Sequence, residues 1–302
     1  MMDLQLDQLR ALLAVVDRGT FDAAARQLQV TPSAISQRIK ALELAVGRVL
    51  LQRVKPVRPT ASGEVVLRLA RQFALLENDA LTMLEPEVGE AASASERFIS
   101  IPLVINSDSL ATWALPALAR VPAAHRISFD IFREDQDHST ARLRDGTVMA
   151  AITSASEPVQ GCIVRPLGAM RYRPMASPEF VATWFSDGPT VASLAVAPVV
   201  IYDRTDDLQD RYLRQRTRTL LHPPQHFVPA SSEFATAVQL GLGWGMLPDA
   251  QSQTAEASGA LVEIDPGEFI DVALYWQQWK LHSPTLSAVA DAIGAAAAAQ
   301  LR

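Results

Sequence analysis

Cysteine is almost absent from this chain: Cys162 is the only one in 302 residues. It has no partner for an intrachain disulfide, and one thiol cannot hold zinc alone. Lysine is nearly as scarce. Lys40, Lys55 and Lys280 are the only three among 27 cations. Arginine therefore carries the positive charge, and its bidentate fork is the better tool for phosphate and guanine. No uncharged apolar run reaches the roughly 18 residues that a membrane span needs. The amino-terminal stretch lacks a basic segment leading into an apolar one, so no signal peptide is predicted and a cytoplasmic protein is the simplest expectation. Five histidines are scattered (His125, His138, His222, His226, His282), and Pro223-Pro224 keeps the closest two off a shared helical face. No metal site is expected from them. GLGWG (241–245) follows a helical pattern rather than a strand, so it does not read as a dinucleotide loop. Nucleophile-elbow and zinc-protease patterns are missing too. The expectation is no cofactor, no metal and no enzymatic activity.

What the chain does contain is an uneven charge distribution. The whole carries −6, yet residues 1–60 hold nine cations against five acids. Between Thr31 and Arg58 the only acid is Glu43. A basic first fifth on an acidic body is the footprint of a phosphate-binding module.

That basic region has helical periodicity on both sides of a break. Phe21, Ala24, Ala25 and Leu28 form one apolar face, Val30 fills the turn, and Ile35, Ile39 and Leu42 form the next. Thr31 suits an N-cap and Pro32 the first helical position. The second helix shows Ser33, Ser36, Gln37, Arg38 and Lys40 outward, and Gly47 can end it. Short polar, amide and cationic side chains on one face suit the major groove. An ordinary helical hairpin with a solvated face is the plainer reading. VLLQRVKPVRPT then predicts a short two-stranded wing carrying Arg53, Lys55 and Arg58, with its prolines at edge or turn positions.

The leading helix before Gly19-Thr20-Phe21, the AAxxL turn entry, the SxxIxxLE recognition helix and Thr60-x-x-Gly63 occur in order. Together they resemble the winged helix-turn-helix of the LysR-type transcriptional regulators. From Thr60 to Glu85, Val66, Leu69, Phe73, Leu76, Ala80 and Met83 recur at alternating spacings of three and four. That is an a/d seam of about three heptads, predicted to pair with the same helix of a second subunit. In the LysR-type family this stretch resembles the dimerising linker helix. Pro86 ends it, and EVGEAASASERF reads as a hinge.

Beyond the hinge, apolar strands (98–106, 127–134, 148–153, 197–203, 272–279) alternate with helical patterns (109–121, 138–146, 232–241, 283–301). This predicts an open α/β sheet, mostly parallel. LVEI (261–264) reads as a short edge strand. The family resemblance implies a periplasmic-binding-protein-like effector domain of two α/β lobes. The expected organisation is a winged helix-turn-helix over 1–59, a linker helix over 60–86, a hinge over 87–96 and an effector domain over 97–302. Its first lobe takes 97–165 and 268–302, its second 166–267.

Asn106, Ser107, Asp108 and Ser109 follow the first strand and open a helix. They fit either an anion-holding cleft edge or simple helix caps. Glu134 and Asp203 end strands on the expected cleft side and would suit a cationic ligand, with Trp113 as a packing or cation–π partner; solvated loop charges are the alternative. NSDSLATWALPAL, LGAMRYRPMASPEF, APVVIYDRTDD and VALYWQQW further resemble the ArgP/LysG branch of the family, which governs lysine and arginine export. That resemblance implies a basic amino-acid effector, lysine foremost, then arginine or histidine, and an exporter gene under control. Ser231 and Ser232 are a second effector-binding pair matched by motif position.

The combined expectation is a homodimeric or homotetrameric activator that binds double-stranded DNA, responds to a basic amino acid and meets RNA polymerase. Rival readings are a ligand-independent DNA-bending or replication-origin-binding protein, and a LysR-type regulator with a different effector.

Overall fold

The computed structural model describes residues 4–84, 98–133 and 136–302. The expected hinge at 87–96 and Glu134 lie outside the described residues. Helices α1 (Leu6–Arg18), α2 (Phe21–Gln27) and α3 (Pro32–Val46) form the amino-terminal module. The starts of α2 and α3 and the ends of α1 and α3 have local causes. The Thr20 and Thr31 hydroxyls accept hydrogen bonds from Ala23 N and Ala34 N. Gly19 and Gly47 end α1 and α3 in the left-handed region. Leu12, Val15, Ala24, Ile35, Ile39 and Leu42 close the core between the three helices. Strands β1 (Leu51–Gln52) and β2 (Arg58–Pro59) pair antiparallel as the wing. Glu43 explains its own place in a basic stretch: its carboxylate accepts from Leu50 N (2.8 Å) and Leu51 N (3.4 Å), tying the wing to α3.

Helix α4 (Ala61–Leu84) departs in part from the predicted seam. Val66 is buried in the winged module's own core and Leu69 is half-buried, whereas Phe73, Leu76, Ala80 and Met83 are exposed. The helix is covered from more than one direction. Its first half lies against α1 and the wing, and Leu75 enters the core of the following domain. Only the carboxy-terminal four seam positions remain open for a partner.

The remainder comprises β3 (Ile99–Ile105), a continuous helical run of α5 (Ser107–Ser109), a π-turn (Leu110–Ala114) and α6 (Leu115–Leu118), then β4 (Ile127–Arg133), α7 (Gln136–Asp145), β5 (Ala150–Thr153) and β6 (Cys162–Ala176). There follow α8 (Pro178–Trp184), α9 (Val191–Val196), β7 (Val199–Ile201), α10 (Leu208–Arg216), β8 (Gln225–Phe227) and α11 (Ser231–Gln239). The chain finishes with β9 (Gly245–Pro248), α12 (Asp249–Ala257), β10 (Val262–Glu263), β11 (Ile270–Trp279) and α13 (Pro284–Gln300). The main sheet runs β10-β6-β11-β5-β3-β4, with β9 also on β6.

The expected mostly parallel sheet is corrected here. Within the main sheet only β4-β3-β5 are parallel, β7 and β8 forming a separate parallel pair; β11 pairs antiparallel with both β5 and β6, and β9 and β10 pair antiparallel with β6. The reason is that β6 and β11 are long, adjacent and opposed. The expected lobe boundary at 165/166 falls inside β6. Its first half pairs only with β11, while Tyr172–Met175 pair with β9 in the second lobe. After β11, α13 returns to pack on α6. The glycines of GLGWG serve packing: a Cβ on Gly243 would lie 2.8 Å from the Pro198 carbonyl oxygen, and one on Gly245 2.9 Å from the Phe234 ring.

Candidate functional site: a DNA-facing helix and an acidic cleft

On α3, Thr31, Pro32, Ser33, Ser36, Gln37 and Lys40 are exposed, as are Arg53, Lys55 and Arg58 on the wing. Ser33, Ser36, Gln37, Lys40, Arg53, Lys55 and Arg58 make no side-chain hydrogen bond or ion pair among the described residues. Thr31 is committed to its cap. Arg38, half-buried on the same helix, is paired with Asp7 of α1 at 3.2 Å. Ser33, Ser36 and Gln37 thus lie on one open helical face beside a basic wing; hydroxyls and amides suit base edges, and cations suit phosphates. Replacing Arg53 and Lys55 together by alanine should weaken binding to every duplex. It should also reduce the slope of log affinity against log salt by about two. A salt titration with an unchanged slope would remove the wing from the interface.

The second site is a cleft of about 400 Å³ between the lobes. Asn106, Ser107 and Asp108 enter it from the end of β3, and Tyr172 from β6. The segment joining β7 to α10 supplies Tyr202, Asp203, Thr205, Asp206, Asp207 and Leu208. Phe234, Met246, Leu247, Pro248 and Gln251 complete the lining. Four acidic residues line this space, and among the described residues no lysine, arginine or histidine does.

Hydrogen bonds cross the cleft directly. Asp108 accepts from the Tyr172 hydroxyl on one oxygen and from the Ser231 hydroxyl on the other, each at 2.6 Å. The Ser107 and Tyr202 hydroxyls lie 2.6 Å apart. Asp203 Oδ1 accepts from Thr205 N, Thr205 Oγ1 and Asp206 N, which shapes the turn. Asp206 accepts from Tyr202 N (3.0 Å) and Leu208 N (3.1 Å). Burial raises the Asp206 carboxyl above its ordinary range, against the opposing pull of those two backbone donors. Burial, then the neighbouring Asp108, pushes the Tyr172 phenol well up, so it stays a donor.

The structure brings Asn106, Ser107, Asp108 and Asp203 of the sequence-predicted set into the cleft lining, and Ser231 touches it through Asp108. Three expectations are corrected. Ser109 and Trp113 sit four apart on the inner side of the helical run, buried in the first lobe, and their Oγ and Nε1 atoms have no hydrogen-bond partner among the described residues. Ser232 is exposed one position beyond the buried Ser231 and does not line the cleft. Tyr172, Phe234, Met246 and Gln251 went unread. Tyr172 carries the one local signal, an aromatic within an alternating strand. The others reach the cleft only through tertiary packing.

A winged helix-turn-helix, joined by a long helix to a two-lobed domain with a ligand-sized cleft, defines a ligand-responsive DNA-binding protein. Comparison with known proteins gives the family. Residues 6–64 match the bacterial regulatory helix-turn-helix protein, lysR family, and residues 101–298 match the LysR substrate binding domain. The chain belongs to the LysR family of transcriptional regulators; it is a regulator and not an enzyme. It is similar to the HTH-type transcriptional regulator LysG of Mycobacterium tuberculosis, at 47% identity over 304 residues, covering 100% of this chain and 97% of the relative. It is 36% identical over 296 residues to the lysine export transcriptional regulatory protein LysG of Corynebacterium glutamicum, covering 98% of each. Among solved structures it resembles ArgP from M. tuberculosis, with TM-score 0.82 and 45% identity over 98% of each chain. It also resembles full-length C. glutamicum LysG with bound effector arginine, with TM-score 0.73 and 34% identity over 99% of each. The resemblance read from the sequence, branch included, is borne out. No helix among the described residues is long and apolar enough to cross a membrane.

Proposed function

We propose that this chain is a cytoplasmic, sequence-specific transcriptional activator whose cleft takes a basic amino acid. The observation that carries the reading is charge. Among the described residues the cleft lining holds Asp108, Asp203, Asp206 and Asp207 with no cationic side chain. A carboxylate withdrawn from water without a countercharge is costly, so a ligand with more positive than negative groups completes the site. Lysine, arginine and histidine are such ligands. Asn106 Oδ1, buried and without a partner among the described residues, offers an acceptor to an ammonium group, while the Ser107 and Tyr202 hydroxyls offer donors to a carboxylate. The names of the LysG relatives and the arginine bound in one of them support the same class.

In this reading the α3 faces of two subunits enter successive major grooves of a dyad site. The exposed Phe73, Leu76, Ala80 and Met83 pair the subunits in dimers or tetramers. Ligand binding shifts the balance of effector-domain arrangements, and with it DNA bending or contact with RNA polymerase at an exporter gene. The test is calorimetric titration of the full chain with the twenty amino acids. Lysine and arginine should give saturable heat, while leucine and glutamate give none. No heat with any of the twenty would favour a different effector or a ligand-independent DNA-bending role.

A further inference from the structure

The cleft's four carboxylates do not have equal parts to play, and their hydrogen bonds separate them. Asp207 is exposed at the rim. Asp203 Oδ1 is engaged three times by its own turn. Asp108 stands next in sequence to Ser107, and hydroxyls from two other elements hold its two oxygens. Asp206 lies across the cleft in the other lobe, fixed by two backbone N–H groups and Gln209, and no cation is among the described lining residues.

The ammonium and carboxylate of an amino-acid head group share one carbon. Their receptors must therefore be neighbours, as Asn106, Ser107 and Asp108 are. A side-chain cation lies several bonds away and needs a separate, pre-positioned acceptor. We infer that Asp206 is the specificity-determining residue that receives the ligand's side-chain cation, with Asp108 serving the head group and cleft closure. This rests on the reading of the cleft as a basic amino-acid site. It moves the role from Asp203, which the sequence singled out, to a neighbour whose carboxylate is held by two backbone N–H groups and by the Gln209 side chain.

The experiment is calorimetry on the full chain with lysine, ornithine and norleucine, the last being lysine without its ε-ammonium. Wild type should prefer lysine over norleucine by about 100-fold or more, as a lost buried charge pair requires. In Asp206→Asn that ratio should fall to within about threefold, while Asp203→Asn should keep the wild-type ratio. Should Asp206→Asn fail to fold, Asp206→Glu decides. Its carboxylate reaches one methylene further, so the preference should move from lysine toward ornithine. Wild type that binds neither lysine nor arginine would overturn the ligand class itself. Wild-type selectivity that survives in Asp206→Asn, or an unshifted ranking in Asp206→Glu, would overturn only the assignment to Asp206.

Discussion

Gly63→Ala should abolish DNA binding and leave amino-acid binding at the cleft intact. A Cβ at this position would lie 2.0 Å from the carbonyl oxygen of Leu50 and 3.2 Å from Pro59 Cβ. The first obstacle is backbone, so no side-chain rotation relieves it. That same carbonyl accepts from Thr60 N at 2.9 Å, and Thr60 Oγ1 donates to Val49 O (2.7 Å) and accepts from Gly63 N (3.1 Å). The Thr-x-x-Gly pattern is therefore a clasp: the threonine caps α4 and holds the chain leading into the wing, and the glycine lets the two backbones touch. An added methyl must push the wing off the helix. Overpacking typically costs about 1–3 kcal/mol where side chains can yield, and this contact should sit at or above the top of that range. Thermal melting should show the loss in the amino-terminal module, and anisotropy with an operator duplex should show no binding. Lysine titration should be unchanged, because the cleft is built by other elements. Wild-type melting together with wild-type DNA affinity would show that the clasp has room to spare.

How much of this was legible in the sequence depends on how local each signal was. The helices of the winged module are set by caps and apolar spacing within a few residues, and Thr20, Thr31, Gly19 and Gly47 all act where the pattern puts them. Strand existence was legible for the same reason, as in LVEI, which pairs along one edge. Strand direction was not. Nothing local in Cys162–Ala176 states that it runs against Ile270–Trp279, a partner distant in the chain. Periodicity also cannot say which neighbour covers a face. Val66 fits the heptad pattern, yet its own module buries it, and Trp113 fits a cleft aromatic, yet the helix turns it inward. Among the acids, Asp203 and Asp206 have the same chemistry three residues apart. Only the turn's hydrogen bonds distinguish them.

Arg71→Met should produce the largest effect on communication between the two domains. Arg71 is buried on α4 and donates to the Gly146 carbonyl (2.7 Å), just past α7 in the first lobe, and to Asp17 of α1 (3.3 Å). One guanidinium thus joins the DNA-binding module, the linker helix and the effector domain. Nearby, Leu75 enters the effector-domain core, and Asp79 pairs with the Thr285 hydroxyl at the start of α13. Methionine keeps much of the apolar volume but leaves a carbonyl and a carboxylate without their donor. Burial already raises the Asp17 carboxyl above its ordinary range, and Arg71 is the main influence opposing that rise. Losing the arginine should cost about 2–4 kcal/mol, discounted toward the lower end because Asp17 is partly open to water. Arg71→Lys keeps the charge without the fork and should recover only part of this. The decisive readout is coupling. Apo DNA affinity and lysine affinity should each stay near wild type, while the factor by which lysine changes DNA affinity should shrink toward one. The physical reason is that a conformational shift in the first lobe can move the winged module only through contacts that bear load between them. Removing Arg71 leaves the packing of α1 on α4, and Leu75 and Asp79 holding α4 to the lobe, but it removes the side chain that bonds to α1 and to the lobe at once. An undiminished coupling factor in a folded Arg71→Met protein would mean that the message travels by the subunit interface and not by this internal joint.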